Sequence, residues 1–217
     1  MAGTVTALFR LAGAGFVLAR EGAFSLVDTR LLPAGPRMAI GAARFLERRG
    51  AAEADRPERI TRALNRLGPS YVKLGQFLAT RPDIVGRDLA AVLGRLRDEI
   101  DPFPQEEART TIARVFDRPV EALFLSFSPS VAAPSIAQVH KAEIETGEER
   151  REVAVKVLRP NVRDRFRRDL ETFYVAAHLI ERLDPASRRL RPVAVVETLD
   201  RSVMIEMDLR QIGRAHV

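Results

Sequence analysis

Lysine occurs at three positions of this 217-residue chain, Lys73, Lys141 and Lys156, among 35 basic residues that are otherwise all arginine. The two cations serve equally on most solvated surfaces but not in sites, because an ammonium is a compact point charge that suits a phosphate or a tight ion pair. The three lysines therefore mark places where arginine does not serve. Lys73 lies in "LGPSYVKLGQFLATRPDIV" beside Gly75 and Gln76, a stretch that reads as a helix. Lys156 lies in "REVAVKVLRP", where Val153, Val155 and Val157 alternate with Ala154, Lys156 and Leu158, so that a strand puts the two sets on opposite faces. A lysine in mid-strand either meets an anionic partner or snorkels to solvent.

Helical punctuation surrounds the first of these sites. Gly68 closes one helix, Pro69 has the φ suited to a first turn, and Pro82 stops the next, which predicts a short helix from about Ser70 to Thr80. Tyr71, Leu74 and Leu78 recur at helical spacing and are expected to form its buried stripe, with Lys73 and Gln76 three apart on a neighbouring face. Gly75 costs roughly 1 kcal/mol relative to alanine inside a helix, so a close approach is expected there. The other reading of the trio is a solvated lysine, a solvated amide and a glycine without a role. Further helices are predicted in "RMAIGAARFLERRG", closed by Gly50, in "ERITRALNRLG", in "GRDLAAVLGRLRDEI" and in "FPQEEARTTIARVF".

Composition bounds the partners. A hydrophobic content of 46% is enough for a sizeable core in one large domain or two small ones, and the absence of cysteine excludes disulfides and thiolate metal sites. A net charge of +6 points to an anionic partner: nucleic acid, a lipid surface or a nucleotide phosphate. Nucleic acid is set aside, because a basic surface that binds it interleaves aromatics and only 6% of these residues are aromatic. No run of roughly 18 uninterrupted apolar residues is present to span a bilayer. The opening "MAGTVTALFRLAGAGFVLAREGAF" is apolar but cut by Arg10 and Arg20, so a surface-lying or packed terminal helix fits it better than a signal peptide.

Near Glu121 the texture turns to β. "ALFLSFSPSVAAPSIAQVHKAEIETGEERREVAVKVL" reads as successive antiparallel strands, with a turn signal at Thr146 and Gly147. V-A-V-K after a hairpin matches the third strand of the protein-kinase small lobe, whose lysine holds the α- and β-phosphates of ATP. A Gly-rich phosphate loop should then precede it, and this chain has instead the alanine-rich "SVAAPSIAQVH" from Ser130. His140 either contacts that loop's backbone or is a satisfied core histidine. Glu171, in "NVRDRFRRDLETFYVAAHLIERL", either pairs with Lys156 or is a solvated helix residue.

"KLGQFLATRPD", "AAPSIAQVHKA" and "VAVKVLRP", in that order, resemble the UbiB family of atypical kinase-like proteins, also called the ABC-one or aarF family. The resemblance implies an α+β fold: a protein-kinase-like small lobe of antiparallel sheet and helices, preceded by a helical N-terminal extension. Lys73, Gly75 and Gln76 match the K-x-G-Q signature, on an extension helix that folds over the nucleotide site. Ala132, Ala133 and Ser135 match the alanine-rich loop, with Pro134 where a further alanine is expected. Lys156 matches the phosphate-binding lysine, and Glu206 with Asp208, in "IEMDLR", match the E-x-D motif. On this basis Lys73 is aimed at the E-x-D carboxylates or the nucleotide.

The same resemblance implies ATP and Mg²⁺ in a full-length parent that supports ubiquinone biosynthesis by ATPase or small-molecule phosphotransfer activity. It further implies a membrane lipid or ubiquinone precursor and the ubiquinone biosynthetic enzymes as partners, and a peripheral position on the inner membrane of a bacterial cell. A non-catalytic scaffold or lipid-binding partner of those enzymes is the competing class. The expected organisation is an extension over residues 1–120, a small lobe over 121–211 and a tail, 212–217. Neither H-R-D nor D-F-G occurs, so this chain by itself is expected not to catalyse phosphoryl transfer. The family's next glutamate would fall where Ile212 stands, and "IGRAHV" reads as an adapter sequence translated in frame, lineage divergence being the other explanation.

Overall fold

A computed structural model describes residues 2–26, 34–48, 55–96, 100–147, 149–183 and 185–209. Contacts gather the chain into two compact units, Met1–Arg97 with Phe166–Arg201 and Asp98–Arg165 with Ser202–Val217.

The first unit is helical. It contains α1 (Ala2–Arg20), a 3-10 turn at Ala23–Leu26, α2 (Ala34–Arg44), α3 (Arg56–Leu67), α4 (Pro69–Ala79), α5 (Pro82–Val85) and α6 (Arg87–Leu93). To these it adds most of the two later helices, α8 (Val162–Leu183) and α9 (Pro192–Met207), separated by a 3-10 turn at Pro185–Leu190. Asp55 caps α3, its carboxylate accepting from the Glu58 N–H at 2.9 Å. Gly68 then serves two helices: its N–H bonds the Leu64 carbonyl at 2.9 Å to end α3, and its own carbonyl accepts from Tyr71 and Val72 to begin α4. The φ of 104° that this reversal requires is one only glycine takes without strain.

The second unit is a sheet backed by a helix. Among the described residues, β1 (Ser126–Ala132), β2 (Ala137–Thr146) and β3 (Glu149–Leu158) form an antiparallel sheet in the order β1-β2-β3. The β2–β3 hairpin turns at Gly147, φ +67°, as the Thr146–Gly147 signal predicts. Val157 and Val155 face inward onto Ala108 and Ile112 of α7 (Gln105–Phe116), with Val120, Phe103, Leu123, Phe124 and Phe127 completing that core. This packing draws α7 out of the expected N-terminal extension and into the sheet unit.

Three expectations shift in detail. The residues buried in α4 are Pro69, Ser70, Val72 and Gly75, whereas Tyr71, Leu74 and Leu78 are half-buried. α4 is apolar on two faces, and the face that meets α3 and α6 is the deeper one. The helices read around Met38 and Leu89 are shorter than predicted, ending at Arg44 and Leu93. α9, which no sequence pattern was used to predict, announces itself through Pro192 at its first turn and through Val195, Val196, Leu199, Val203 and Met207, all buried at helical spacing.

Candidate functional site

The strand register decides what Lys156 faces. Ala132 pairs with Val139, and Val139 pairs with Lys156, so the three lie on one row across the sheet. Directly paired residues share a face, and strand spacing sets Ala132 and Lys156 about 10 Å apart. Ala154 and Lys141, two pairs further along, share that face and are exposed, as Lys156 is. The opposite face carries Gln138, His140, Val155 and Val157 and is the one packed on α7. The predicted alternation is therefore present, and the lysine stands on the open face. Lys141 is paired with Glu152 at 3.1 Å, while Lys156 has no acidic partner among the described residues.

The alanine-rich turn between β1 and β2 is held from behind by one side chain. Arg159, just past β3, donates from Nε to the Pro134 carbonyl at 3.2 Å and from Nη2 to the Ala133 carbonyl at 3.5 Å. The same guanidinium reaches the Ile100 carbonyl at 3.0 Å and the Asp101 carbonyl at 2.9 Å, and the Ile100 N–H returns a bond to the Ala133 carbonyl at 3.0 Å. Its cation also lies 5.8 Å from the Phe103 ring centroid. Proline is accommodated at position 134 because the turn uses its carbonyl, which also accepts from the Ala137 N–H at 3.3 Å. Ser135 is fully buried. Small side chains at Ala132 and Ala133 leave the outer side of the turn open to a ligand's approach.

A second network fixes β2 beneath the turn. The Phe103 N–H donates to Gln138 Oε1 at 3.1 Å, which orients the amide so that its Nε2 donates to His140 Nε2 at 2.9 Å. His140 Nδ1–H is then left to donate to the Ser128 carbonyl at 2.9 Å. The imidazole is fully buried and stacks on Phe127 at 4.5 Å. His140 is thus a satisfied core histidine.

In the helical unit, Lys73 and Gln76 are half-buried on α4, and Gly75 is buried. The close approach expected at Gly75 is that of three leucines: a β-carbon there would meet Leu96 Cδ1 at 2.6 Å, Leu64 Cδ1 at 2.8 Å and Leu93 Cδ2 at 3.5 Å. Gly75→Ala is therefore expected to lower stability by about 1 kcal/mol, because overpacking of about 1–3 kcal/mol exceeds the helix-propensity gain of about 1 kcal/mol. Gly13→Ala in α1, where nothing lies within 4 Å, is expected to raise stability by about 0.5–1 kcal/mol. Urea unfolding of both variants checks the pair, and equal signs would contradict the packing argument.

The remainder of that motif closes α4. Arg81 donates to both Asp83 oxygens, Nε to Oδ1 at 2.9 Å and Nη2 to Oδ2 at 2.7 Å, and this bond holds the Asp83 carboxyl below its usual value. Tyr71 meets Phe173 of α8 edge to face at 4.9 Å.

Glu206 and Asp208 stand at the C-terminal end of α9, both half-buried, in the same unit as Lys156. Arg163 donates to the Met207 carbonyl between them at 2.7 Å. Glu171 is exposed and paired with Arg10 at 3.5 Å. The donor set fits a nucleotide's phosphates, since an unpaired ammonium shares an open face with a turn of small residues. It does not fit a metal ion: no group of three His, Asp or Glu able to hold one occurs among the described residues. Position 212 and the 212–217 tail lie outside the described residues.

Residues 95–216 match the ABC1 atypical kinase-like domain. A "Probable protein kinase UbiB" of Marinobacter nauticus is 42% identical over 157 residues, 72% of this chain and 28% of that protein. The proteins of the same description from Pseudomonas paraeruginosa and Aeromonas salmonicida are 38% and 36% identical, over 85% and 89% of this chain and 34% and 35% of their own lengths. The chain thus spans about a third of the length of the curated relatives it matches. No solved structure matches it.

Proposed function

This chain belongs to the ABC1 atypical kinase-like family, and from that premise we propose that it is the nucleotide-holding part of a UbiB-type protein. The parent binds ATP with Mg²⁺ and supports ubiquinone biosynthesis through ATPase or small-molecule phosphotransfer activity, at the surface of a membrane. The observation that carries the reading is the row Ala132–Val139–Lys156, which sets an ammonium on the open face of the sheet, one strand away from the alanine-rich turn. In this reading Lys156 neutralises phosphate charge, backbone N–H groups of the turn come close to phosphate because no large side chain stands in the way, and Arg159 keeps the turn from collapsing. Metal ligands and a catalytic base belong to the longer parent. Purified chain is expected to be stabilised by millimolar ATP in a thermal-shift titration and to show no magnesium-dependent ATPase above a Lys156→Ala control. No stabilisation at saturating ATP would overturn the nucleotide reading.

The same proposal gives Lys73 and Gln76, on α4, and Glu206 with Asp208 the nucleotide-site roles that the family motifs imply. The family motifs support it, together with the half-burial of all four residues. A double-mutant cycle of Lys73→Ala with Glu206→Ala, and a second with Asp208→Ala, is expected to give a coupling of about 0.5 kcal/mol or more in one of the two. Additivity in both cycles would remove the assignment.

A further inference from the structure

α1 carries two apolar faces, and only one of them is used. Ala7 and Ala14 are buried on the inner face, while Val5, Phe9 and Phe16 are 53%, 75% and 48% exposed. With Ala12, also exposed, they recur at spacings of four, three and four and run into Arg20, so they make a single stripe along the helix. α2 repeats the pattern: Met38 is 74% exposed and Phe45, just past its end, 93%. The two helices meet at their C-terminal ends, where the Arg48 N–H bonds the Arg20 carbonyl at 2.9 Å.

The exposed charges described around this surface have one sign. Arg20, Arg44 and Arg48 are exposed, with no acidic partner among the described residues. The two carboxylates described in the same stretch are turned away from it: Glu21 is buried against Arg66 at 2.9 Å, and Glu47 is paired with Arg59 at 3.3 Å. Apolar residues ringed by unpaired arginines suit a lipid surface with anionic headgroups, where aromatic side chains enter the acyl boundary and guanidiniums meet phosphates. A second copy of the chain suits it poorly, because a two-fold interface would bring the same arginines together with no exposed carboxylate among the described residues of these two helices to pair them. No described helix is long and apolar enough to cross a bilayer, so α1 would lie along it.

We propose that the outer face of α1 and α2 is a docking surface for anionic phospholipid, with Phe9, Phe16 and Phe45 as the inserting side chains and Arg20, Arg44 and Arg48 as the headgroup contacts. It rests on the reading of a membrane-surface protein and names the surface and the lipid chemistry.

The test is flotation of the purified chain with vesicles of phosphatidylcholine alone and of phosphatidylcholine with phosphatidylglycerol. Wild type is expected to bind the anionic vesicles at least tenfold more tightly than the neutral ones, with binding that weakens as salt is raised. Phe9→Asp combined with Phe45→Asp is expected to remove binding. Arg20→Gln with Arg44→Gln and Arg48→Gln is expected to lose about fivefold per arginine, while the thermal midpoint of each variant stays at the wild-type value. Phe116→Asp, at an exposed apolar position of α7, is the control and should bind as wild type does. If wild type binds and the phenylalanine variant binds equally well, this surface is the wrong one and the membrane reading stands. If wild type binds neither vesicle, both fall. If the same phenylalanine variant instead abolishes a dimer seen in sedimentation, the face belongs to a second copy and the proposal is overturned.

Discussion

Replacing Lys156 by alanine is expected to weaken ATP binding by this chain between about tenfold and a hundredfold while leaving its stability unchanged. The two halves of that expectation have separate causes. Charge-assisted hydrogen bonds to phosphate are worth about 1.5–3 kcal/mol each, and the ammonium is a charge that the register sets on the open face, in one row with Ala132. Its removal costs the fold little, because Lys156 is exposed and makes no ion pair among the described residues. Lys156→Arg should recover only part of the affinity, since a planar fork does not replace a point charge at a fixed reach. Thermal-shift titration with ATP reads both halves. An unchanged dissociation constant for Lys156→Ala would detach the lysine from the nucleotide.

Arg159→Ala is expected to act the opposite way, through the fold. The side chain gathers the carbonyls of Ile100, Asp101, Ala133 and Pro134 onto one guanidinium. Its loss takes one donor from each of these carbonyls and leaves the alanine-rich turn joined to the segment at residues 100 and 101 through the Ile100 N–H bond to the Ala133 carbonyl. A cost of about 3 kcal/mol is expected from hydrogen bonds to a charged group and the desolvated acceptors left behind. Arg159→Lys should recover at most a minor share, because three mobile donors on one nitrogen cannot span four carbonyls spread around a planar fork. Chemical denaturation measures the loss. A midpoint within error of wild type would mean that the turn is held by its own backbone.

What could be read from the chain beforehand follows the range of the interactions. Local punctuation was legible: Gly68 and Pro69 mark the α3–α4 junction because a positive φ and a fixed φ are properties of single residues. The alternation in β3 was legible because period two follows from the pleat, and it put Val155 and Val157 on the face opposite Lys156, but which face is the core is decided only by the packing of the valines on α7. The role of Arg159 was not, since its acceptors at 100 and 101 lie 59 and 58 positions away. Nor was the buried face of α4: spacing alone offered Tyr71, Leu74 and Leu78, and only the packing of Leu64, Leu93 and Leu96 against Gly75 selects the other face. Gly75 shows both sides of this, since its cost in a helix announced a close approach without saying what approaches. Gln138 could have been noticed as an amide two residues before a strand histidine on the same face, but its partner at Phe103 could not.

The most direct measurement is a structure of this chain bound to a non-hydrolysable ATP analogue. The account predicts a phosphate oxygen within hydrogen-bond reach of Lys156 Nζ, on the face that carries Ala132 and Val139, with the backbone N–H groups of Ala133, Ser135 and Ile136 turned toward the phosphates. An analogue bound on the α7 side of the sheet, or in the cleft lined by Arg114, Asn161 and Arg163, with Lys156 left in solvent, would contradict it.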